Sequence, residues 1–164
     1  MEAVASTIDQ AAGPAATSVI EPRSGSHLSG SAKFVAVRDG LGVHVEVKGA
    51  PPGLHGVHIH AKGDCSDPTA ASAGPHYDPA GGGHHGGPAT PVRHGGDLGN
   101  LEVDGKGKGT LDVVVQGVSV ASVSDGVAGH AIVVHEKVDD QQTDPSGNSG
   151  ARIGCGLIQS PPVQ

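Results

Sequence analysis

The sequence predicts an all-β domain, an antiparallel sandwich or barrel carrying two long loops. Three observations carry this. Valine-rich runs recur at short intervals and are broken by glycine and proline, 28 and 12 residues respectively, a composition that favours strands and turns over helices. Several runs alternate apolar and polar residues, the period of a half-buried strand. Helical periodicity never persists beyond a turn or two. With one Phe, one Tyr and no Trp, the core has to be assembled from Val, Ile, Leu and Ala. A chain of 164 residues is long enough for one domain with its own core.

The elements follow in order. Residues 1–24 are rich in Ala, Ser, Thr and Pro without sustained periodicity and predict a flexible N-terminal tail, leaving a domain over residues 25–160. "HLSGSAKFVAVRD" is a first strand. "LGVHVEVKG" is the second, its Val43, Val45 and Val47 alternating with His44, Glu46 and Lys48, and Asp39-Gly40 between them is a hairpin signal. "APPG" stops that strand before "LHGVHIH", the third. From Ala61 to Gly99 the pattern dissolves into Gly, Pro, His, Asp and Ser; a loop of this length in a compact domain is usually functional or disordered. "LEVDGKGKGTLDVVVQG" reads as another hairpin, "HAIVVHEKV" as a further strand, and "ARIGCGLI" as the closing strand after a second polar loop, "DDQQTDPSGNSG".

Composition excludes several functions. Ten basic against seventeen acidic residues give a net charge of −7, and no basic patch is present to hold nucleic acid. No apolar stretch is long enough to span a membrane. The N-terminus lacks the basic start and apolar segment of a signal peptide, so either an export signal has been removed or the protein stays inside the cell. The two cysteines, Cys65 and Cys155, are either separate buried thiols or one disulfide, which would imply an oxidising compartment.

Eleven histidines are far more than packing requires. His58 and His60 are two apart, so an extended chain turns both rings to one face, with Val57 and Ile59 on the other. In the long loop, His76, His85 and His94 fall at intervals of nine, with Asp97 three further on. Three imidazoles and a carboxylate make a tetrahedral zinc environment, and such a cation would order the loop as it binds. His135, at the end of "AIVVH", supplies a third imidazole beside His58 and His60, with a fourth available from the loop. Four nitrogens in a roughly planar set suit copper(II).

Six segments, "GLHGVHIH", "SAGPHYDP", "HGGP", "RHGGDLGN", "IVVHEKVDD" and "GNSGARIGCG", resemble the copper,zinc superoxide dismutases in the same order and at similar spacing, from about Ser29 to Ile158. "GDC" soon after "HIH", with a short second loop, is similar to the bacterial members. The resemblance implies a Greek-key β-sandwich or flattened barrel, immunoglobulin-like in layout. It implies copper on His58, His60, His76 and His135, and zinc on His85, His94, Asp97 and the shared His76. Asp139 would hydrogen-bond one ligand of each metal, Arg152 would orient the anion beside the copper, and Cys65 and Cys155 would form a disulfide. The activity implied is conversion of superoxide to dioxygen and hydrogen peroxide by Cu(II)/Cu(I) cycling, with His76 carrying a proton. A periplasmic, cell-envelope or secreted location and a homodimer are further expectations. The alternatives are a non-enzymatic protein that binds or buffers copper and zinc on the same fold, and a structural β-sandwich with incidental histidines.

The sequence departs from the family pattern in places. The second loop has no lysine between Asp139 and Arg152, where animal relatives use lysine to guide superoxide; Lys62 is either a substitute or a solvated side chain. His84 directly precedes His85, and counting back from "GGP" favours His85 as the ligand, with His84 the alternative that one residue of loop slack would allow. His55 is expected to pack beside the copper strand without ligating, and His27, His44 and His130 to face solvent.

Overall fold

A computed structural model describes residues 2–11 and 15–160. Eight strands close into a barrel: β1 (Ala15–Pro22), β2 (Ser29–Val37), β3 (Gly40–Lys48), β4 (Gly53–His60), β5 (Asp97–Val103), β6 (Gly109–Val115), β7 (Ala131–His135) and β8 (Arg152–Leu157). Their order around the wall is β1-β2-β3-β6-β5-β4-β7-β8, every pair antiparallel. The β3–β4 and β6–β7 connections each pass over two strands, the crossovers of a Greek key. A closed barrel leaves no unpaired edge. Among the described residues, no helix is long and apolar enough to cross a membrane.

Alternation places the side chains. On β3, Leu41, Val43, Val45 and Val47 enter the core while His44, Glu46 and Lys48 face outward. On β4, Val57 and Ile59 join the same core, which turns His58 and His60 to the outer side, beneath the loops. Both are nevertheless fully buried. The register shifts between Gly56 and His58 on β4 and between Val134 and His135 on β7. Bulges of this kind re-aim side chains, and these two flank metal-ligand candidates.

Residues 1–24 differ from the expected tail where the structure describes them. Glu2–Asp9 form a helix, α1, and Ala15–Pro22 are β1, paired with both β2 and β8. Residues 1 and 12–14 lie outside the described set. Helix α1 lies against β2, β3 and β6, where Ile8 and Val35 are buried outside the barrel core. Gly42 permits this approach, since a Cβ there would come within 2.8 Å of Ile8 Cγ1.

Cys65 and Cys155 form a disulfide across 90 positions. It fastens the first part of the long loop to β8, and closing so long a loop contributes on the order of 4–5 kcal/mol in the chain-entropy account.

Two histidines expected to face solvent do more than that. His130 is half-buried, donates to the Ala61 carbonyl (2.7 Å) and stacks on Tyr77 at 3.9 Å. His44 bridges Asp112 (2.5 Å) and Glu46 (3.0 Å), while His27 is exposed. Partial burial disfavours a charged His44, but the Asp112 and Glu46 carboxylates outweigh it and raise its pKa above the ordinary 6.5. Because the folded pKa is the higher one, the stabilisation is complete below about pH 6.5 and is lost as pH rises through the raised value. Solvent screening holds it under about 1 kcal/mol. A proton NMR titration of His44 is therefore expected to give a midpoint above 6.5, moving down in Asp112→Asn; an identical midpoint in both proteins would contradict the pairing.

Candidate metal centre

The centre lies outside the barrel wall, where β4 and β7 meet the two long loops. His58 and His60 come from β4, His135 from the end of β7, and His76, His85, His94 and Asp97 from the first loop and its junction with β5. Asp139 and Arg152 come from the two ends of the second loop. All but the half-buried Arg152 are buried.

Hydrogen bonds fix which ring nitrogen carries the proton, because carbonyls and carboxylates only accept. His60 donates from Nδ1 to the Gly74 carbonyl (2.7 Å), and His135 from Nδ1 to the Gly150 carbonyl (3.2 Å). Their Nε2 atoms are left as bare lone pairs and face each other at 3.4 Å. His58 donates from Nε2 to Asp139 Oδ2 (2.8 Å) and His85 from Nε2 to Asp139 Oδ1 (2.7 Å). The remaining atoms, His58 Nδ1 and His85 Nδ1, are buried without a hydrogen-bond partner, as is His76 Nε2. Buried polar atoms are rarely left unpaired. Here each is a ring nitrogen able to hold a cation.

These atoms fall into two groups. Ligand atoms of His58, His60, His76 and His135 lie within 4.8 Å of one another, and so do those of His58, His76, His85 and Asp97. His58 thus lies close to both groups, and distance alone does not divide them. Around Asp97, the Nδ1 atoms of His76, His85 and His94 stand 2.9, 3.0 and 3.3 Å from Oδ1. His85 Nδ1 lacks the alignment of a hydrogen bond despite that distance. Edges of about 3.3 Å are those of a tetrahedron with zinc–nitrogen bonds near 2.0 Å. His94 sits at the margin of this set, its ring 5.2 Å from that of His76 and 5.7 Å from that of His85. The ring of His76 stacks on His58 at 3.9 Å and offers Nδ1 to the Asp97 side, leaving Nε2 for the all-histidine side. The residues present therefore fit two cations sharing His76.

The electrostatics of the all-histidine group suit a cation, while on the Asp97 side His85 is charged without one and would give up a proton on binding. Burial, reinforced by neighbouring imidazoles, holds His58 and His60 well below the ordinary 6.5. Burial takes His135 down to about 3. His76 is also lowered by burial, against the pull of Asp97. All four are neutral, as ligands must be. Asp97 is the reverse case: burial would raise it, but hydrogen bonds from His76, His85 and the Gly86 amide hold it well below the carboxylate range. Burial likewise opposes a charged His85, and the carboxylates of Asp139 and Asp97 override it, raising that pKa to about 9.

The structure puts His85 inside the cluster and His84 outside it, exposed beside Asp144. His55 is buried with its ring between the Pro51 and His135 carbonyls, away from both ligand groups. Lys62 is exposed, its stem passing Gly74. Arg152 donates to the Ala70 carbonyl (2.9 Å) and lines an open cleft with His76, His135, Pro145 and Gly150.

Residue 28 to residue 158 match the family model described as copper/zinc superoxide dismutase (SODC). The chain belongs to the copper/zinc superoxide dismutase family. One relative is the superoxide dismutase [Cu-Zn] of Deinococcus radiodurans (strain R1), 37% identical over 143 residues, covering 81% of this chain and 78% of the relative. Another, from Onchocerca volvulus, carries the same name and is 36% identical over 153 residues, covering 87% of this chain and 95% of the relative. The closed Greek-key barrel is the fold expected of a superoxide dismutase of this family, and the family accounts for the requirement for both copper and zinc.

Several residues that shape the site carried no motif signal of their own. The Gly74 and Gly150 carbonyls set two ring orientations. Asn100 pairs with the backbone of Asp139 through both amide atoms, at 3.0 and 2.7 Å. Asp144 receives the His85 amide at 2.6 Å and so ties the second loop to the first. Asn100 closes "RHGGDLGN", and Gly74 and Gly150 lie within "SAGPHYDP" and "GNSGARIGCG", but nothing in those segments tells where the two carbonyls point; Asp144 lies outside every one of them.

Proposed function

We propose that this protein is a superoxide dismutase in which His58, His60, His76 and His135 hold copper while His76, His85, His94 and Asp97 hold zinc. The supporting observation is the pair of bare Nε2 atoms on His60 and His135 facing each other, beside the unpaired His76 Nε2, where His76 and His135 line an open cleft. Lone pairs that face one another repel, and a cation between them removes the repulsion. A structural sandwich has no use for such an arrangement.

When bound, copper supplies one-electron exchange with superoxide, and zinc supplies a fixed positive charge against His76. The chain's residues do the rest. Arg152 presents a planar fork of donors to the anion and remains charged at any working pH. The Ala70 carbonyl holds one arm of that fork, directing the other nitrogens to the cleft. His76 Nε2 is the atom placed to take up and return a proton, so that two superoxide anions and two protons leave as dioxygen and hydrogen peroxide. Asp139 keeps a proton of His58 and of His85 on Nε2, which leaves His58 Nδ1 free and makes Nδ1 the nitrogen from which His85 would lose its other proton as zinc binds. The two long loops keep water from the buried imidazoles while leaving the cleft open.

With a net charge of −7, attraction of the anion depends on local positive charge. Arg152→Ala is expected to lower kcat/KM about tenfold while copper stays bound; an unchanged rate at low salt would remove Arg152 from the mechanism. The activity itself is tested by dismutation after copper loading, since a metal-buffering protein would load and show none. We further infer an oxidising location, the cell envelope or the exterior, because the disulfide is of the kind that persists there. Pairing of two copies is supported by the exposed Val19 and Leu157 on adjacent strands β1 and β8.

A further inference from the structure

The β1–β2 turn touches neither metal-ligand group, yet it grips both pieces of chain that place Arg152. The Arg23 guanidinium donates from Nε to the Cys65 carbonyl at 2.7 Å, and the Arg23 amide donates to the Ile153 carbonyl at 2.9 Å. Ser24 donates from Oγ to the carbonyl of Arg152 itself, 2.7 Å, and from its amide to the Pro68 carbonyl, 2.8 Å. Ser26 Oγ adds a bond to the Ile153 carbonyl at 2.6 Å. Three residues of one turn thus reach the 65–68 segment on one side and the start of β8 on the other.

Those two segments are the two supports of the Arg152 fork. Its backbone belongs to the start of β8, and its Nη1 is anchored on the Ala70 carbonyl, in the loop that Cys65 fastens to Cys155. The disulfide alone fixes one point of that loop, five residues before the anchor. The turn supplies contacts at Cys65 and Pro68 that keep the intervening chain in place. Ser24 also holds a φ of 55°, the left-handed region that a non-glycine residue rarely adopts. The conformation aims its amide and hydroxyl at two different segments at once, and strain of this kind persists where the surroundings enforce it.

We propose that Arg23 and Ser24 are positioning residues for Arg152: through the Cys65, Pro68 and Arg152 carbonyls they set the distance between the Ala70 anchor and the guanidinium that meets the anion. This rests on the anion-orienting role assigned to Arg152. Arg23 does not line the cleft; its Nη1 donates to the Pro22 carbonyl and stands 3.8 Å from Glu21 of β1, so the reach to the Cys65 carbonyl rests on Nε and the planar fork.

Arg23→Lys separates charge from geometry, because lysine keeps the charge but not the Nε–H at that place. Ser24→Gly removes the hydroxyl while suiting the left-handed backbone, so a loss of function there does not arise from a weakened fold. In copper- and zinc-loaded full-length protein, each is expected to lower kcat/KM about three- to tenfold, as small displacements of an orienting group do. Each is also expected to weaken azide binding, read from the visible copper spectrum, by a similar factor with unchanged metal content. In the Arg152→Ala background neither is expected to lower either quantity further. Wild-type rates and azide affinity in Arg23→Lys and Ser24→Gly would overturn the inference. Losses of the same size with and without Arg152 would overturn it as well. If Arg152→Ala alone changes nothing, the role of Arg152 falls and the inference with it.

Discussion

His135→Ala is expected to abolish dismutation while zinc content stays at the wild-type level. His135 offers Nε2 to the all-histidine group, 3.4 Å from His60 Nε2, and belongs to no group around Asp97. Its removal would leave three of the four imidazoles proposed to hold copper, and would open a ring-sized space in the cleft that Arg152 lines. The Asp97 side keeps His76, His85 and His94 with their contacts intact. Metal analysis on the purified variant, with a dismutation assay after copper loading, checks both halves. Loss of both metals together would contradict the separation into two groups.

Asp139→Ala is expected to weaken both metals at once, by about 10- to 100-fold each. The carboxylate is fully buried and is shared between His58 and His85. Without it, two buried N–H groups lose their acceptor, at about 1–3 kcal/mol apiece, and both rings are free to change tautomer or turn. Gly147→Ala reaches the same point by another route. Gly147 has a φ of 67°, and a Cβ on it would stand 1.9 Å from Asp139 Oδ1 and 2.8 Å from His85 Nε2. The carboxylate has to move, so the glycine variant is expected to reproduce the loss of metal seen on removing Asp139. Competition with a chelator of known affinity measures each metal separately. Retention of wild-type affinity for both in either variant would show that the bridge does not control the ligand rings.

The extent to which the sequence was legible follows from what each element buries. β3 and β4 were readable because valines and isoleucines alternate with polar residues on a wall with one wet or loop-covered face. β1 was not. Its inward positions are Ala16, Ser18 and Ile20, and its outward face carries Val19, fully 72% exposed, so no apolar period survives. β1 depends on its neighbour instead: Gly156 on β8 leaves room where a Cβ would meet Ser18 Oγ at 2.2 Å. A fit between strands distant in sequence leaves no trace in the local pattern. Helix α1 was equally hidden, being eight residues long and held chiefly by Ile8 over Gly42. In the metal centre, the histidines and Asp97 were legible because their residue types and spacing are themselves the chemistry. The carbonyls of Gly74 and Gly150, which decide ring tautomers, were not, since any residue offers a carbonyl and only the fold determines where it points. His130 misled for a similar reason: its stacking on Tyr77 joins residues brought together by a loop with no period to read.

If the seven proposed ligands hold two cations that share His76, and the all-histidine position performs redox chemistry on superoxide, activity has to follow copper occupancy. Copper and zinc content determined in the purified protein, with superoxide dismutation assayed in the same sample before and after copper loading, measures that dependence. The expected result is equimolar copper and zinc in the loaded protein, with dismutation rising in proportion to copper and not to zinc. Full occupancy by both metals with no dismutation would contradict it.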